Sequence, residues 1–172
     1  MCSSCHGVTG VSVSPNFPRL AGQTQEYLVA QLQNFRGHNR SDPAGYEYMW
    51  GFARVLSDDQ IAGLAAYFSA QKPLPNRPAP AALLPLGKKI YEQGVPEHET
   101  PPCSACHGAE GQGMANFPRL AYQHRDYLTK QLTVFQRTNQ RPGTPMTQVS
   151  HNLTRPEIEA VTAYLQSFPT TH

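Results

Sequence analysis

Cys2-Ser-Ser-Cys5-His6-Gly7 and Cys103-Ser-Ala-Cys106-His107-Gly108 are the two stretches from which the rest of the chain can be read. Together they hold all 4 cysteines of the 172 residues. The order downstream of each is also the same. Asn16-Phe-Pro-Arg-Leu20-Ala21 returns as Asn116-Phe-Pro-Arg-Leu120-Ala121. Tyr27-Leu28, Gln31-Leu32 and Phe35 return as Tyr127-Leu128, Gln131-Leu132 and Phe135. Met49 pairs with Met146, Leu56 with Leu153, Ile61 with Ile158, and Ala66-Tyr67 with Ala163-Tyr164. The offset slides from about 100 to 97, which puts the length differences in the loop ahead of each methionine. Such a long period marks a tandem duplication. Units of roughly 70–90 residues bury modest cores and usually need a disulfide, a metal or a cofactor.

Cys-x-x-Cys-His is the attachment signature of c-type haem. Two thiols at that spacing can add to the vinyl groups of one porphyrin edge, and the next residue is delivered to the iron. The sequence therefore predicts Cys2, Cys5, Cys103 and Cys106 as thioether positions and His6 and His107 as proximal ligands. A sixth ligand must reach the opposite face from distant sequence. Met49 and Met146 follow their histidines by 43 and 39 residues, each in a Gly- and Pro-bearing loop before the last helix of its unit. A soft thioether favours ferrous iron and raises the reduction potential. With both axial positions filled, the expected chemistry is electron transfer rather than substrate binding.

Other readings are weaker. Four cysteines could share one zinc, but zinc does not require a histidine after both pairs. Redox disulfides belong with a βαβ pattern, and none is present. Methionine also fills gaps in cores, yet Met49 and Met146 recur at matching positions. Met114 has no counterpart, since Ser14-Pro15 stands there, and it follows His107 by only seven residues. His38 and His151 are rival ligands or exposed loop residues, and His98, His124 and His172 read as surface residues. Arg19 and Arg119 carry guanidinium forks suited to haem propionates. A backbone carbonyl at Pro18 or Pro118 could accept the Nδ1 proton of the histidine and fix its tautomer. Tyr67 and Tyr164 read as packing residues where first and last helices cross.

The local patterns are helical. Thr24 can cap a helix carrying Tyr27, Leu28, Leu32 and Phe35, and its counterpart starts near Gln123. Ser57-Asp-Asp-Gln60 and Thr154-Arg-Pro-Glu157 read as capping boxes. A short helix over Leu86–Gln93 should end at Gly94. Between the units, Lys72–Pro85 contains five prolines and reads as a semi-rigid extended spacer. The predicted domains are thus 1–71 and 86–172, joined by 72–85, in an all-α fold with long loops.

Composition excludes several classes. No window approaches a membrane-spanning run, and no signal peptide is visible. Basic and acidic residues number 6 and 5 before position 81 and 8 and 7 after it, so no basic stripe marks a nucleic-acid binder. The formal net charge is +2. Two ferric haems with their propionates ionised would each add one net negative charge and cancel it, so long-range steering of a partner should be modest. Docking would then use a small, partly apolar patch near a haem edge.

Taken together, the two Cys-x-x-Cys-His-Gly motifs, the Phe-Pro-Arg-Leu-Ala stretches, the Tyr-Leu-x-x-Gln-Leu helices and the late methionines resemble the di-haem cytochrome c4 family. The resemblance covers nearly the whole chain. It implies two cytochrome c folds related by pseudo-twofold symmetry, two covalently bound haem c groups, and His/Met iron in both. It further implies a periplasmic electron shuttle, often loosely membrane-associated, that passes electrons to a terminal oxidase or another acceptor. Export follows from thioether attachment. Alternative roles are a cytochrome subunit of a dehydrogenase for sulfide, an alcohol or thiosulfate, and a di-haem peroxidase. The family's domains open with a helix before the cysteine pair. Unit two has one near Leu86–Gln93, whereas unit one starts at Met1-Cys2, which reads as a truncated start that would leave its haem more exposed and its domain less stable.

Overall fold

The computed structural model describes residues 2–169. Met1 and His172 lie outside the described residues. Helices α1 Ser3–His6, α2 Gln25–Arg36, α3 Trp50–Ala53 and α4 Asp58–Ser69 form the first unit. Helices α5 Leu84–Gln93, α6 Ser104–His107, α7 Arg125–Arg137, α8 Met146–Val149 and α9 Arg155–Gln166 form the second. Among the described residues there is no strand, only isolated bridges Val95–Thr100 and Met114–Phe117.

Each unit repeats one plan, a short helix at the cysteine motif followed by two longer antiparallel-packed helices. Gly7 and Gly108 end the motif helices at φ 79° and 83°. An L side chain rarely adopts that conformation, and a Cβ at Gly7 would lie 2.7 Å from the Val11 carbonyl. This explains the glycine after each histidine. The capping boxes form as expected. Ser57 Oγ accepts from Gln60 N and Gln60 Oε1 accepts from Ser57 N. The Glu157 carboxylate accepts from Thr154 N. Thr24 does not cap α2 with its side chain; its hydroxyl donates to the Ala115 carbonyl across the domain boundary.

Three local expectations need correction. The segments around both methionines are not open loops. Gly45–Met49 forms a π-helical turn running into α3, and Met146 starts α8. Pro43 and Pro145 precede these turns, where a missing N–H costs nothing. The linker is extended only to Pro80. A 3₁₀ turn spans Ala81–Leu83, and α5 starts at Leu84 with Pro85 in its first turn. The linker does more than space the units apart. Ala79 N donates to Ser167 Oγ at 2.6 Å and Gln166 Nε2 to Arg77 O at 3.0 Å, strapping it to the second unit.

The two cores differ. In unit two α5 crosses α9, burying Ile90, Tyr91, Tyr164, Leu165 and Phe168. A Cβ on Gly87 would collide with the Ala160 carbonyl and Tyr164, so only glycine permits this close crossing. Tyr91 packs edge-on against Phe168 at 5.5 Å and donates its hydroxyl to Gly108 O, tying α5 to the cysteine motif. An aromatic pair of this kind contributes about 0.5–1.5 kcal/mol beyond its buried area. Unit one has a smaller buried cluster of Leu28, Ala65 and Phe68. Tyr164 is 6% exposed, but its counterpart Tyr67 is 45% exposed and bonds Val8 O, so only Tyr164 packs at a helix crossing. Among the described residues, no helix covers α4 as α5 covers α9.

The units meet through reciprocal contacts. Gln123 accepts from Arg19 N at 2.8 Å and donates to Arg19 O at 2.9 Å. Gln23 accepts from Arg119 N at 2.6 Å and donates to Arg119 O at 3.1 Å. The same patch of each unit meets its equivalent on the other, as in an isologous dimer.

Candidate functional site

A cavity of about 630 Å³ runs through both units. Its size is that of a cofactor site, and its lining is largely apolar. Cys2, Cys5, His6 and Met49 line it in unit one. Cys103, Cys106, His107 and Met146 line it in unit two. Met114 does not line the cavity and is 64% exposed.

The histidines are buried and oriented alike. His6 Nδ1 donates to Pro18 O at 2.9 Å and His107 Nδ1 to Pro118 O at 2.8 Å. Nδ1 therefore carries the proton, and Nε2 keeps its lone pair for the cavity. Burial lowers both pKa values while the carbonyl bonds oppose it, so both rings are neutral near pH 7. Phe17 and Phe117 meet these rings edge-on at 6.2 Å. These carbonyl acceptors were legible in the sequence because proline fixes the loop and has no N–H of its own.

No disulfide joins any of the four cysteines. Among the described residues, no three His, Cys, Asp or Glu side chains gather to hold a metal ion. A macrocycle that brings its own iron fits this arrangement: each unit offers one imidazole and one thioether to an apolar cavity that its cysteine pair also lines. The buried Nε of Arg19, which has no hydrogen-bond partner, is a further unmatched donor on the cavity wall.

Arg19 and Arg119 also serve the interface. Arg19 Nη1 donates to Leu74 O at 2.7 Å, and Arg119 Nε to Gly22 O at 3.0 Å. Sequence reasoning missed a second pair, Arg40 and Arg141. Their guanidinium groups lie 4.5 and 4.6 Å over the Phe35 and Phe135 rings and line the same cavity. Each is held by the other unit. Arg40 donates to Tyr127 Oη and Gln131 Oε1, both at 3.3 Å, and Arg141 to Tyr27 Oη and Gln31 Oε1, both at 3.1 Å. Arg40 also pairs with Asp42 at 2.7 Å, and both are buried. Burial works to raise the Asp42 pKa, but the Arg40 charge and hydrogen bonds from Arg40 and Gln131 bring it below the usual carboxylate value. The available signal was their recurrence five and six residues after the paired phenylalanines.

The remaining histidines divide. His38 stacks on Trp50 at 3.9 Å and does not line the cavity. His151 is exposed and likewise lies off the cavity lining. His98 is not a free surface residue, since its Nδ1 lies 3.0 Å from the Glu157 carboxylate. His124 reverses expectation. It is 3% exposed, covered by unit one and the linker.

Two helical units, each presenting a cysteine pair, a carbonyl-oriented imidazole and a late methionine to one apolar cavity, define a c-type cytochrome with two haem-binding domains. Comparison with known proteins agrees. The Cytochrome c family matches residues 1–72 and 85–169. Cytochrome c4 of Stutzerimonas stutzeri is 40% identical over 176 residues, covering 96% of this chain and 83% of that protein. A thiosulfate dehydrogenase electron acceptor of S. stutzeri is 34% identical over 170 residues, covering 95% and 76%. The structure of Acidithiobacillus ferrooxidans cytochrome c4 superposes with a TM-score of 0.91 at 43% identity, covering 97% and 98%. The chain belongs to the di-haem cytochrome c4 family. It carries two covalently bound haem c groups and is an electron-transfer protein rather than an enzyme.

Proposed function

We propose that the chain is a periplasmic electron shuttle of a respiratory chain, working between an upstream dehydrogenase and a terminal oxidase. The two domains are those the sequence divides at 72–85, with the start of the second moved to Leu84, where α5 begins. Cys2, Cys5, Cys103 and Cys106 are the thioether positions. His6 and Met49 hold one iron, and His107 and Met146 hold the other. The observation that carries this reading is the matched pair of buried imidazoles, each with Nδ1 bonded to a proline carbonyl and Nε2 left for a cavity that a methionine also lines. Haem c supplies reversible one-electron exchange at its iron.

The chain's own residues do the rest. Pro18 and Pro118 fix the tautomer that leaves Nε2 free to coordinate. Met49 and Met146, which line the cavity, would each supply a thioether sulfur to an iron and so leave it no place for substrate. Arg19 and Arg119 compensate propionate charge, a reading supported by the unmatched Nε of Arg19. Among the described residues, no helix is long and apolar enough to cross a membrane.

An optically detected redox titration tests the function. Two one-electron steps at positive potential are expected, both without a high-spin component. A single step, or a high-spin fraction in the ferric protein, would contradict it. A second reading makes thiosulfate dehydrogenase the donor, favoured by the relative named as its electron acceptor. Reduction of the protein by that enzyme with thiosulfate, at a rate exceeding other dehydrogenases, would select this reading.

A further inference from the structure

His124 sits where three parts of the chain meet. Its backbone opens α7 in the second domain. Its Nε2 lies 3.0 Å from both the carbonyl and the hydroxyl oxygen of Ser12 in the first domain. Ser12 commits its hydroxyl proton to Phe17 O at 2.7 Å, so Ser12 Oγ can only accept and Nε2 must carry the hydrogen. Nδ1 lies 3.2 Å from Asn76 Nδ2 in the linker. That amide is fixed from outside. Its Nδ2 also donates to Tyr122 O at 3.1 Å, and its Oδ1 accepts from Arg77 N at 2.8 Å. Nδ1 is therefore an acceptor, and the imidazole is neutral.

A proton on Nδ1 would face the Asn76 donor. Turning the amide to accept would break its bonds to both Tyr122 and Arg77. The charged groups facing the ring are Arg19 from the first domain, Arg77 from the linker and Asp126 from α7.

We propose that His124 is a proton-operated latch between the two cytochrome domains: neutral, it ties the first domain to the linker and the second; charged, it lets them part. The latch also steadies the loop that orients His6, because Phe17, which receives the Ser12 proton, precedes the Pro18 carbonyl bonded to His6. Acid would therefore loosen the register in which the domains exchange electrons.

Burial first, then Arg19 and Arg77, lower the His124 pKa below its ordinary 6.5 in the closed form, against the Ser12 bond and Asp126. Once the domains part, the ring recovers its ordinary value. The open form then binds more protons, so the interface is at full strength above about pH 6.5 and weakens as the pH falls below it.

Hydrogen exchange on the holoprotein tests this at the Arg19 and Arg119 amides, which donate across the interface to Gln123 and Gln23. Between about pH 7.5 and about pH 5.5, wild-type protection should fall about tenfold after correction for intrinsic exchange. His124→Gln keeps a donor toward Ser12 and cannot titrate, so its protection should stay within about twofold. Asn76→Asp places a carboxylate against Nδ1 and should abolish the loss. Constant protection in the wild type, or an equal loss in wild type and His124→Gln, overturns the proposal. Should His124→Gln not fold, a wild-type loss retained in Asn76→Asp overturns it.

Discussion

Asp42→Ala is expected to cost about 3–5 kcal/mol of folding stability, the range for removing one partner of a buried ion pair. Asp42 is fully buried and Arg40 is 7% exposed. The substitution leaves the guanidinium facing two glutamines, a tyrosine and the Phe35 ring, with its charge uncompensated. It also strips Gln131 Nε2 of its acceptor across the interface. Urea unfolding of the holoprotein would register the loss. The Arg40→Met/Asp42→Leu double variant should recover part of it, because no orphan charge remains. A loss below about 1 kcal/mol, the value of an exposed pair, would mean that the pair is solvated.

The same residue gives a pH signature. The Asp42 pKa is lowered from the ordinary 3.8 in the folded protein. Its contribution is therefore fully present above about pH 4 and is lost as the pH falls through the folded value. The acid limb of the stability profile should flatten in Asp42→Ala.

The second large effect is at Met146. Met146→Ala should lower the reduction potential of the second domain's site by on the order of 0.1–0.3 V, within the span of about 0.8 V that axial ligation commands. The first domain's wave should stay in place. The ferric protein should gain a high-spin component from the vacated axial position. Met114→Ala is the control. Its side chain is exposed and off the cavity, so neither wave should move. If Met146→Ala leaves both potentials unchanged, its sulfur is not a ligand.

What was legible in the sequence was what each unit does by itself. The duplicated Cys-x-x-Cys-His-Gly, the glycine at positive φ and the proline carbonyl behind each histidine depend on contacts within roughly a dozen residues. The helices followed from apolar periodicity and capping boxes at Ser57 and Thr154. The turns that carry Met49 and Met146 were hidden, because glycine and proline beside them signal a loop equally well. Contacts made only when the units pack were invisible. Gln23 and Gln123 look like polar helix-entry residues, yet each mimics a backbone partner for an arginine of the opposite unit. His124 occupies a helix N-cap, ordinarily a solvated place, and is buried only because Ser12 and Asn76 close over it. Arg40 and Arg141 follow polar runs that read as loop, and their partners lie some 90–110 residues away.

The intact mass of the protein after full denaturation tests the central claim most directly. Two covalently fixed haems predict the 19.0 kDa polypeptide plus two porphyrin-iron masses, stable to acid–acetone extraction. A mass equal to the bare polypeptide, or increased by only one haem in a fully matured preparation, would contradict it.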